Sequence, residues 1–211
     1  MKKLIVSLSL CASVSTQAKS IEETLSRPLI LGASVSSGYS TSGPGTRASL
    51  RYTVKDQVLN LAVSGKSAIE TLRRLPADLT RFSAIIAIDL FFLDSTLESS
   101  IPSQELMLKL IRSAKAARIP LVLGDIPELW LDHQPGRYYL NEQIRYACKP
   151  GNGCYLFSLD GFMSTWTRNG GEVIGGKFLG RRQMTSDGFH PTPVVAEYLA
   201  DKLIDILHKV N

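Results

Sequence analysis

The sequence has few cysteines and histidines, and beyond its N terminus it has no long apolar run. Its 211 residues include three cysteines and three histidines, which excludes a disulfide-dense miniprotein and leaves no cluster with the spacing of a metal site. Neither a P-loop nor a GxGxxG motif is present, so we predict no cofactor and no metal. After residue 18 no segment reaches the roughly 18 apolar residues of a membrane-spanning helix, so we predict no stable membrane anchor in the mature chain.

The charge is mildly basic and evenly spread. The 24 Lys and Arg residues exceed the 19 Asp and Glu residues, for a formal net charge of +5 and a sequence pI near 9.2. The basic residues are scattered, so we predict no nucleic-acid partner. Hydrophobic residues make up 44% of the chain and charged residues 20%, values typical of one soluble globular domain.

The first 18 residues have the pattern of a signal peptide. Lys2 and Lys3 precede an apolar stretch at 4–14, which is too short to span a bilayer, and small residues lead to a cleavage position after Ala18. A buried N-terminal strand is the alternative. We predict that residues 1–18 are removed, that residues 19–211 form one domain, and that the protein is periplasmic or secreted.

Removal of this segment would take away Cys11 and leave one pair of cysteines. Cys148 and Cys154 flank residues 149–153, which contain Pro-Gly and Asn-Gly turn sequences. Such a turn can bring the two side chains together, and an exported protein meets an oxidising compartment. We therefore predict a structural disulfide between them.

Apolar runs of strand length alternate with helical patterns along the chain. The predicted strands are 28–31, 57–62, 84–88, 119–123 and the shorter 155–157. The predicted helices are 68–75, 104–117 with Ser103 as N-cap, and 193–210. Near-continuous apolar strands separated by helices predict an α/β fold of three α/β/α layers with a five-stranded, mostly parallel sheet. We expect residues 124–150 and 158–190 to form irregular loops around a cleft.

Residues with catalytic potential lie at a strand end and before the last helix. Ser34 follows the first predicted strand across a Gly-Ala turn, and this position at the strand end favours it over Ser36, Ser37 and Ser64 as a nucleophile. Asp187 and His190 are three residues apart, a spacing that lets the carboxylate bind one ring nitrogen while the other accepts a proton. Helix capping is the alternative role for this pair.

Three segments resemble the sequence blocks of the GDSL-type (SGNH) hydrolases, serine esterases with a flavodoxin-like sheet. Residues 31–39 (LGASVSSGY) resemble the first block and residues 60–65 (NLAVSG) the second, with Arg-Leu-Pro at 74–76. Residues 187–191 (DGFHP) match the last block. The second block is most similar to that of the bacterial periplasmic thioesterase, lysophospholipase and arylesterase branch. The resemblance covers residues 28–208.

This resemblance implies a role for each matching residue. Ser34 would be the nucleophile, His190 the general base and Asp187 the acid that orients the histidine. The backbone N–H groups of Ser34 and Gly65 would be two donors of the oxyanion hole, which stabilises charge that develops only in the transition state.

Two positions depart from the family pattern. Ala33 stands where the family has the Asp before its serine. Asp89 best fits the place of the family's Asn, whose amide is the third oxyanion donor, but an ionised carboxylate cannot donate. Asp89 could be protonated and donate, could point away from the site, could correspond to the family's following Asp, or could cap the next turn. We expect Asp89 to depress the activity or to shift it toward acid pH.

The sequence thus predicts an exported serine esterase that hydrolyses carboxylic ester or thioester bonds of lipids, lysophospholipids or small acyl esters. Removal or transfer of O-acetyl groups on a carbohydrate of the cell envelope is the alternative within the enzyme class. A ligand-binding protein that has kept the fold but lost efficient turnover is the alternative outside it, because of Ala33 and Asp89.

Overall fold

The computed structural model describes residues 19–39, 41–128, 133–149 and 151–209. The predicted signal peptide, residues 1–18, lies outside these ranges, and its cleavage stays a prediction. Within the described ranges, no helix combines the length and the apolar character needed to cross a membrane.

Five parallel strands form the central sheet. They are β1 (Pro28–Ile30), β2 (Leu59–Asn60), β3 (Ala84–Ala87), β4 (Leu121–Gly124) and β5 (Cys154–Phe157). Their order is β2-β1-β3-β4-β5, and every neighbouring pair is parallel. The strand order reverses between β1 and β3, where sheets of this kind open a crevice for ligands at the carboxyl ends of the strands. The predicted fold class is confirmed.

Nine helices and one hairpin complete the described part of the chain. The helices are α1 (Ile21–Thr24), α2 (Ser34–Ser37), α3 (Pro44–Ser49), α4 (Ala68–Leu72), α5 (Ile101–Ala117), α6 (Arg137–Ala147), α7 (Leu159–Asn169), α8 (Arg181–Met184) and α9 (Pro193–His208). The antiparallel hairpin is formed by β6 (Gly171–Ile174) and β7 (Lys177–Gly180). Short 3-10 turns cover Lys55–Gln57 and Leu93–Thr96.

Helices cover both faces of the sheet. Successive residues of a strand point to opposite faces, so the apolar strands present side chains to the helices on each side. On β3, Ile85 packs into one core with residues of α4, α5 and α6, whereas Ile86 packs into a second core with residues of α1, α3, α7 and α9. Both isoleucines are fully buried, and each such side chain stabilises the fold by about 1.5–3 kcal/mol. The protein therefore has the three predicted α/β/α layers.

Helix α3, near the start of the domain, packs against the C-terminal helix α9. Arg47 forms an ion pair of 2.8 Å with Glu197, and Arg51 forms one of 2.6 Å with Asp201 and a second with Glu197. These ion pairs connect the segment that follows Ser34 to the helix that begins just after His190.

Several sequence predictions were wrong in detail. Residues 124–150 and 158–190 are not irregular loops, because they contain α6, α7, α8 and the β6–β7 hairpin. The second strand is only two residues long, since a 3-10 turn takes up the start of the predicted run. Helix α5 begins at Ile101, and Ser103 lies inside it, where its hydroxyl donates to Asp94 instead of capping the helix.

Cys148 and Cys154 are bonded to each other, as the sequence predicted. Cys148 follows the last residue of α6 and Cys154 is the first residue of β5, and their Cα atoms are 4.4 Å apart. The disulfide closes the turn that leads from α6 into the edge strand of the sheet.

Candidate active site

Ser34 lies directly beyond β1, where the chain turns into helix α2. Gly32 and Ala33 make the turn, and Ser34 is the first residue of the helix. A Cβ atom at Gly32, where φ is +154°, would lie 2.1 Å from Oδ1 of Asp89 and 2.5 Å from Oγ of Ser36. Only glycine therefore lets the side chain of Asp89 approach the turn that presents Ser34.

Asp89, at the end of β3, binds the helix that Ser34 begins. Its Oδ2 accepts hydrogen bonds from the backbone N–H groups of Val35 (2.8 Å) and Ser36 (3.2 Å), and its Oδ1 accepts one from the Ser36 hydroxyl (2.5 Å). The side chain of Asp89 is thus directed at α2, the helix that follows the neighbouring strand β1. It does not cap the turn that comes after Asp89. The role predicted for Asp89 as an oxyanion donor would require a proton on one of these two accepting oxygens.

The environment of Asp89 opposes its ionisation. Only 5% of the residue is exposed, and this burial raises the pKa of the carboxyl above its ordinary value. The hydrogen bonds from Ser36 and the neighbouring backbone lower the pKa but do not offset the burial. Asp89 is therefore a titratable group placed beside the candidate nucleophile.

Asn60 connects the second sequence block to the same helix. Its Nδ2 donates to the backbone oxygen of Ser36 (3.0 Å), and its Oδ1 accepts from the backbone N–H of Ala62 (2.9 Å). The loop that leaves β2 is also bonded to the first block, because the N–H of Val63 donates to the oxygen of Gly32. Side chains from β2 and β3 thus hold the turn around Ser34 from both sides.

Asp187 holds the imidazole of His190 in one orientation. Oδ2 of Asp187 lies 2.6 Å from Nδ1 of His190, and Oδ1 accepts from the backbone N–H groups of Phe189 and His190. These hydrogen bonds, first those from His190, lower the pKa of Asp187 to about 2. Because an ionised carboxylate only accepts, the neutral imidazole would carry its proton on Nδ1, which leaves Nε2 to accept another.

Tyr39 packs against this histidine. Its ring centroid lies 4.3 Å from that of His190, with the ring planes tilted by 40°. Tyr39 follows α2, and its N–H donates to the backbone oxygen of Ser34. The ring contact therefore connects the chain around Ser34 to His190.

Ser34 and His190 line the same small pocket at the carboxyl edge of the sheet. Val35, Asp89 and Thr185 also border it, but most of its wall is apolar: Phe92, Pro127, Leu159, Met163, Trp166, Phe189, Pro191 and Leu199. Among the contacts of the described residues, no hydrogen bond joins Ser34 to His190. Catalytic hydrogen bonds are often long in an empty site and shorten when substrate binds.

Gly65 lies in an exposed turn after β2 and is not among the described residues that line this pocket. Its φ of +75° is left-handed, and a Cβ atom there would meet nothing within 4 Å. Its role as an oxyanion donor stays a prediction.

Sequence reasoning missed the part of the pocket wall formed by α7. Leu159, Met163 and Trp166 lie at positions i, i+4 and i+7 of this helix and face the pocket together. That spacing is the pattern of an amphipathic helix and could have been found.

Within the described ranges, no group of three or more His, Cys, Asp and Glu side chains is arranged to hold a metal ion.

No protein-family profile and no curated protein matches this sequence. Solved structures do match. The structure of TesA has a TM-score of 0.61 and 18% identity, over 87% of this chain and 99% of that chain. The psychrotrophic esterase EstA from Pseudoalteromonas sp. has a TM-score of 0.59 and 19% identity, over 86% and 96%. A GDSL-like lipase from Bacteroides thetaiotaomicron has a TM-score of 0.54 and 16% identity, over 87% and 89%. This chain therefore has the fold of esterases and GDSL-like lipases.

Proposed function

We propose that this protein is a serine esterase that acts through an acyl-enzyme on Ser34. The observation that carries the proposal is the shared pocket, which is lined both by Ser34 and by a histidine that Asp187 holds in one orientation. An apolar wall next to a serine and an imidazole suits an acyl group that is attacked at its carbonyl carbon. The fold shared with esterases agrees with this chemistry.

In the first half of the reaction, Nε2 of His190 takes the proton of the Ser34 hydroxyl as Oγ bonds to the acyl carbon. The carbonyl electron pair moves onto oxygen, and the N–H groups of Ser34 and Gly65 are the proposed donors to that oxyanion. The intermediate then expels the alcohol or thiol, which takes the proton from Nε2. Asp187 stabilises the transient imidazolium through Nδ1.

Water completes the cycle. Nε2 of His190 removes a proton from a water molecule as its oxygen attacks the acyl-enzyme, and the second intermediate expels Ser34 Oγ, which regains a proton from Nε2. The products are a carboxylic acid and the regenerated serine. If a sugar hydroxyl replaces this water, the same steps transfer the acyl group, which is the acetyltransferase alternative.

A fluorophosphonate probe tests this proposal. The purified protein should become labelled on Ser34, Ser34→Ala should not be labelled, and His190→Ala should be labelled much more slowly. Ser37→Ala, a change in the same helix, is the matched control and should be labelled like the wild type. A folded protein that neither reacts with the probe nor hydrolyses p-nitrophenyl acetate would instead be a binding protein with the fold of an esterase.

We also propose that the enzyme works outside the cytoplasm. The pattern of residues 1–18 and the Cys148–Cys154 disulfide both suit an oxidising compartment. Mass spectrometry of the expressed protein should find a mature chain that begins at Lys19 and contains the disulfide. Recovery of the intact chain in the cytoplasm with both thiols free would contradict the proposal.

A further inference from the structure

The pocket shared by Ser34 and His190 is small. Its cavity volume is about 40 Å³. Pockets that hold drug-sized ligands enclose about 300–1,000 Å³, so this one has room for only a few non-hydrogen atoms. An acetyl group has about that many, whereas an octanoyl group has about three times as many. The pocket as it stands fits only the shortest acyl groups.

The inner wall of the pocket belongs to the core of the domain. Leu159 and Trp166 of α7 are each 5% exposed, Leu199 of α9 is 1% exposed, and all three pack in the core on that face of the sheet. Protein interiors are close-packed, so these side chains cannot move back without colliding with their neighbours. A longer acyl chain would therefore have to displace core residues, which disfavours its binding.

The side of the site that would face the alcohol is open in comparison. Tyr39 is 52% exposed next to His190, and the side chain of Asp187 is 42% exposed. Restriction therefore falls on the acyl group and not on the group to which it is esterified. A bulky alcohol, such as a sugar, can lie outside the pocket while its acyl group lies inside.

We propose that the substrates are esters of very short carboxylic acids, with acetyl esters preferred. This inference rests on the proposed function, and it assigns the pocket wall of α7, α9 and Phe92 to acyl-length selection. Esters with long acyl chains, including lysophospholipids, are poor substrates. Among the predicted substrate classes, the geometry selects small acyl esters and O-acetyl groups.

The test compares p-nitrophenyl acetate, butyrate and octanoate, which share one leaving group. We expect kcat/KM to fall by at least about 100-fold from acetate to octanoate, since one methylene that does not fit a pocket is worth roughly 10–200-fold. Met163→Ala should enlarge the pocket and reduce this ratio at least about tenfold, because Met163 is the least buried α7 side chain in the wall. Thr167→Ala, an exposed change on the same helix, is the matched control and should leave the ratio unchanged.

The ratio of the kcat/KM values for two substrates does not depend on how much of a variant is folded. A destabilised Met163→Ala protein therefore still tests the proposal. Octanoate hydrolysed as fast as acetate by the wild type, or a ratio that Met163→Ala leaves unchanged, would overturn acyl-length selection while ester hydrolysis stands. Failure to hydrolyse any of the three esters would overturn the proposed function and this inference with it.

Discussion

Oδ1 of Asp89 and the hydroxyl of Ser36 are 2.5 Å apart, and this contact joins the end of β3 to the helix that begins with Ser34. Asp89 also accepts hydrogen bonds from two backbone N–H groups of this helix. Its carboxyl therefore helps to hold the candidate nucleophile in place. Ala33 offers no such support, although the resembled family has an acidic residue at that position. The two departures from the family pattern therefore lie in one small region of the structure.

Asp89→Asn should change the dependence of activity on pH. Burial raises the pKa of Asp89, so the neutral carboxyl persists to higher pH than in water. Once ionised, it opposes the negative charge that develops next to Ser34, and wild-type kcat/KM should fall as the pH rises through this pKa. The amide cannot ionise, so the variant should keep its activity at higher pH. Profiles that superimpose would remove Asp89 from the mechanism.

Gly32→Ala should unfold the turn at Ser34 or displace Asp89 from it. The added Cβ atom would lie 2.1 Å from Oδ1 of Asp89, and such overpacking costs about 1–3 kcal/mol. Urea denaturation should show this loss of unfolding free energy together with a loss of esterase activity. Gly180→Ala, where φ is −72° and the new Cβ would have ordinary contacts, is the control and should change neither. A variant as stable and active as the wild type would show that Asp89 does not depend on this close approach.

Asp187→Asn should lower kcat by about 10⁴-fold with little effect on KM, because an amide cannot stabilise the imidazolium of His190. The folded-state pKa of Asp187 is about 2, below its ordinary value of 3.8. Its hydrogen bonds therefore stabilise the fold above pH 3.8, and this contribution is lost as the pH falls through about 2. The group stays ionised in ordinary esterase assays, so its own titration should not shape the activity profile. Equal kcat values for variant and wild type would exclude the proposed role.

Tyr39→Leu should lower kcat by about tenfold and leave KM nearly unchanged. The tyrosine ring contacts the His190 imidazole and should therefore limit its movement, and an aromatic face also favours the imidazolium that forms during the reaction. Tyr39→Phe keeps the ring and should restore the rate. If the phenylalanine variant is as slow as the leucine variant, the hydroxyl and not the ring contact is responsible.

Replacing Cys148 and Cys154 together by serine should lower the unfolding free energy by about 2 kcal/mol, the value expected for so short a loop. The disulfide lies at the edge strand, between α6 and β5, and no residue of the candidate site belongs to that turn. Esterase activity of the folded variant should therefore equal that of the wild type. Denaturation of the wild type with and without a reductant checks the same effect without a mutation.

The sheet could be predicted from the sequence because its strands are short apolar runs that end in turn residues, as at Ile85 and Ile86 of β3. The same pattern predicted that Ser34 lies just beyond the end of the first strand. The helices α6 and α7 could not be predicted from composition, because they lie in segments rich in Gly, Arg and aromatic residues, and glycine is typical of turns and loops. The contacts of Asp89 could not be predicted, because they depend on how two strands distant in sequence lie side by side.

The residues proposed for catalysis come from opposite ends of the domain, and the ion pairs of Arg47 and Arg51 with α9 are part of what holds those ends together. During synthesis from the N terminus, the serine emerges long before the histidine that is to activate it. A nascent chain that has completed its first strands therefore has a hydroxyl but no proton acceptor. Under the proposed function, hydrolysis requires the final helix to dock, so unfinished or truncated chains should be inactive.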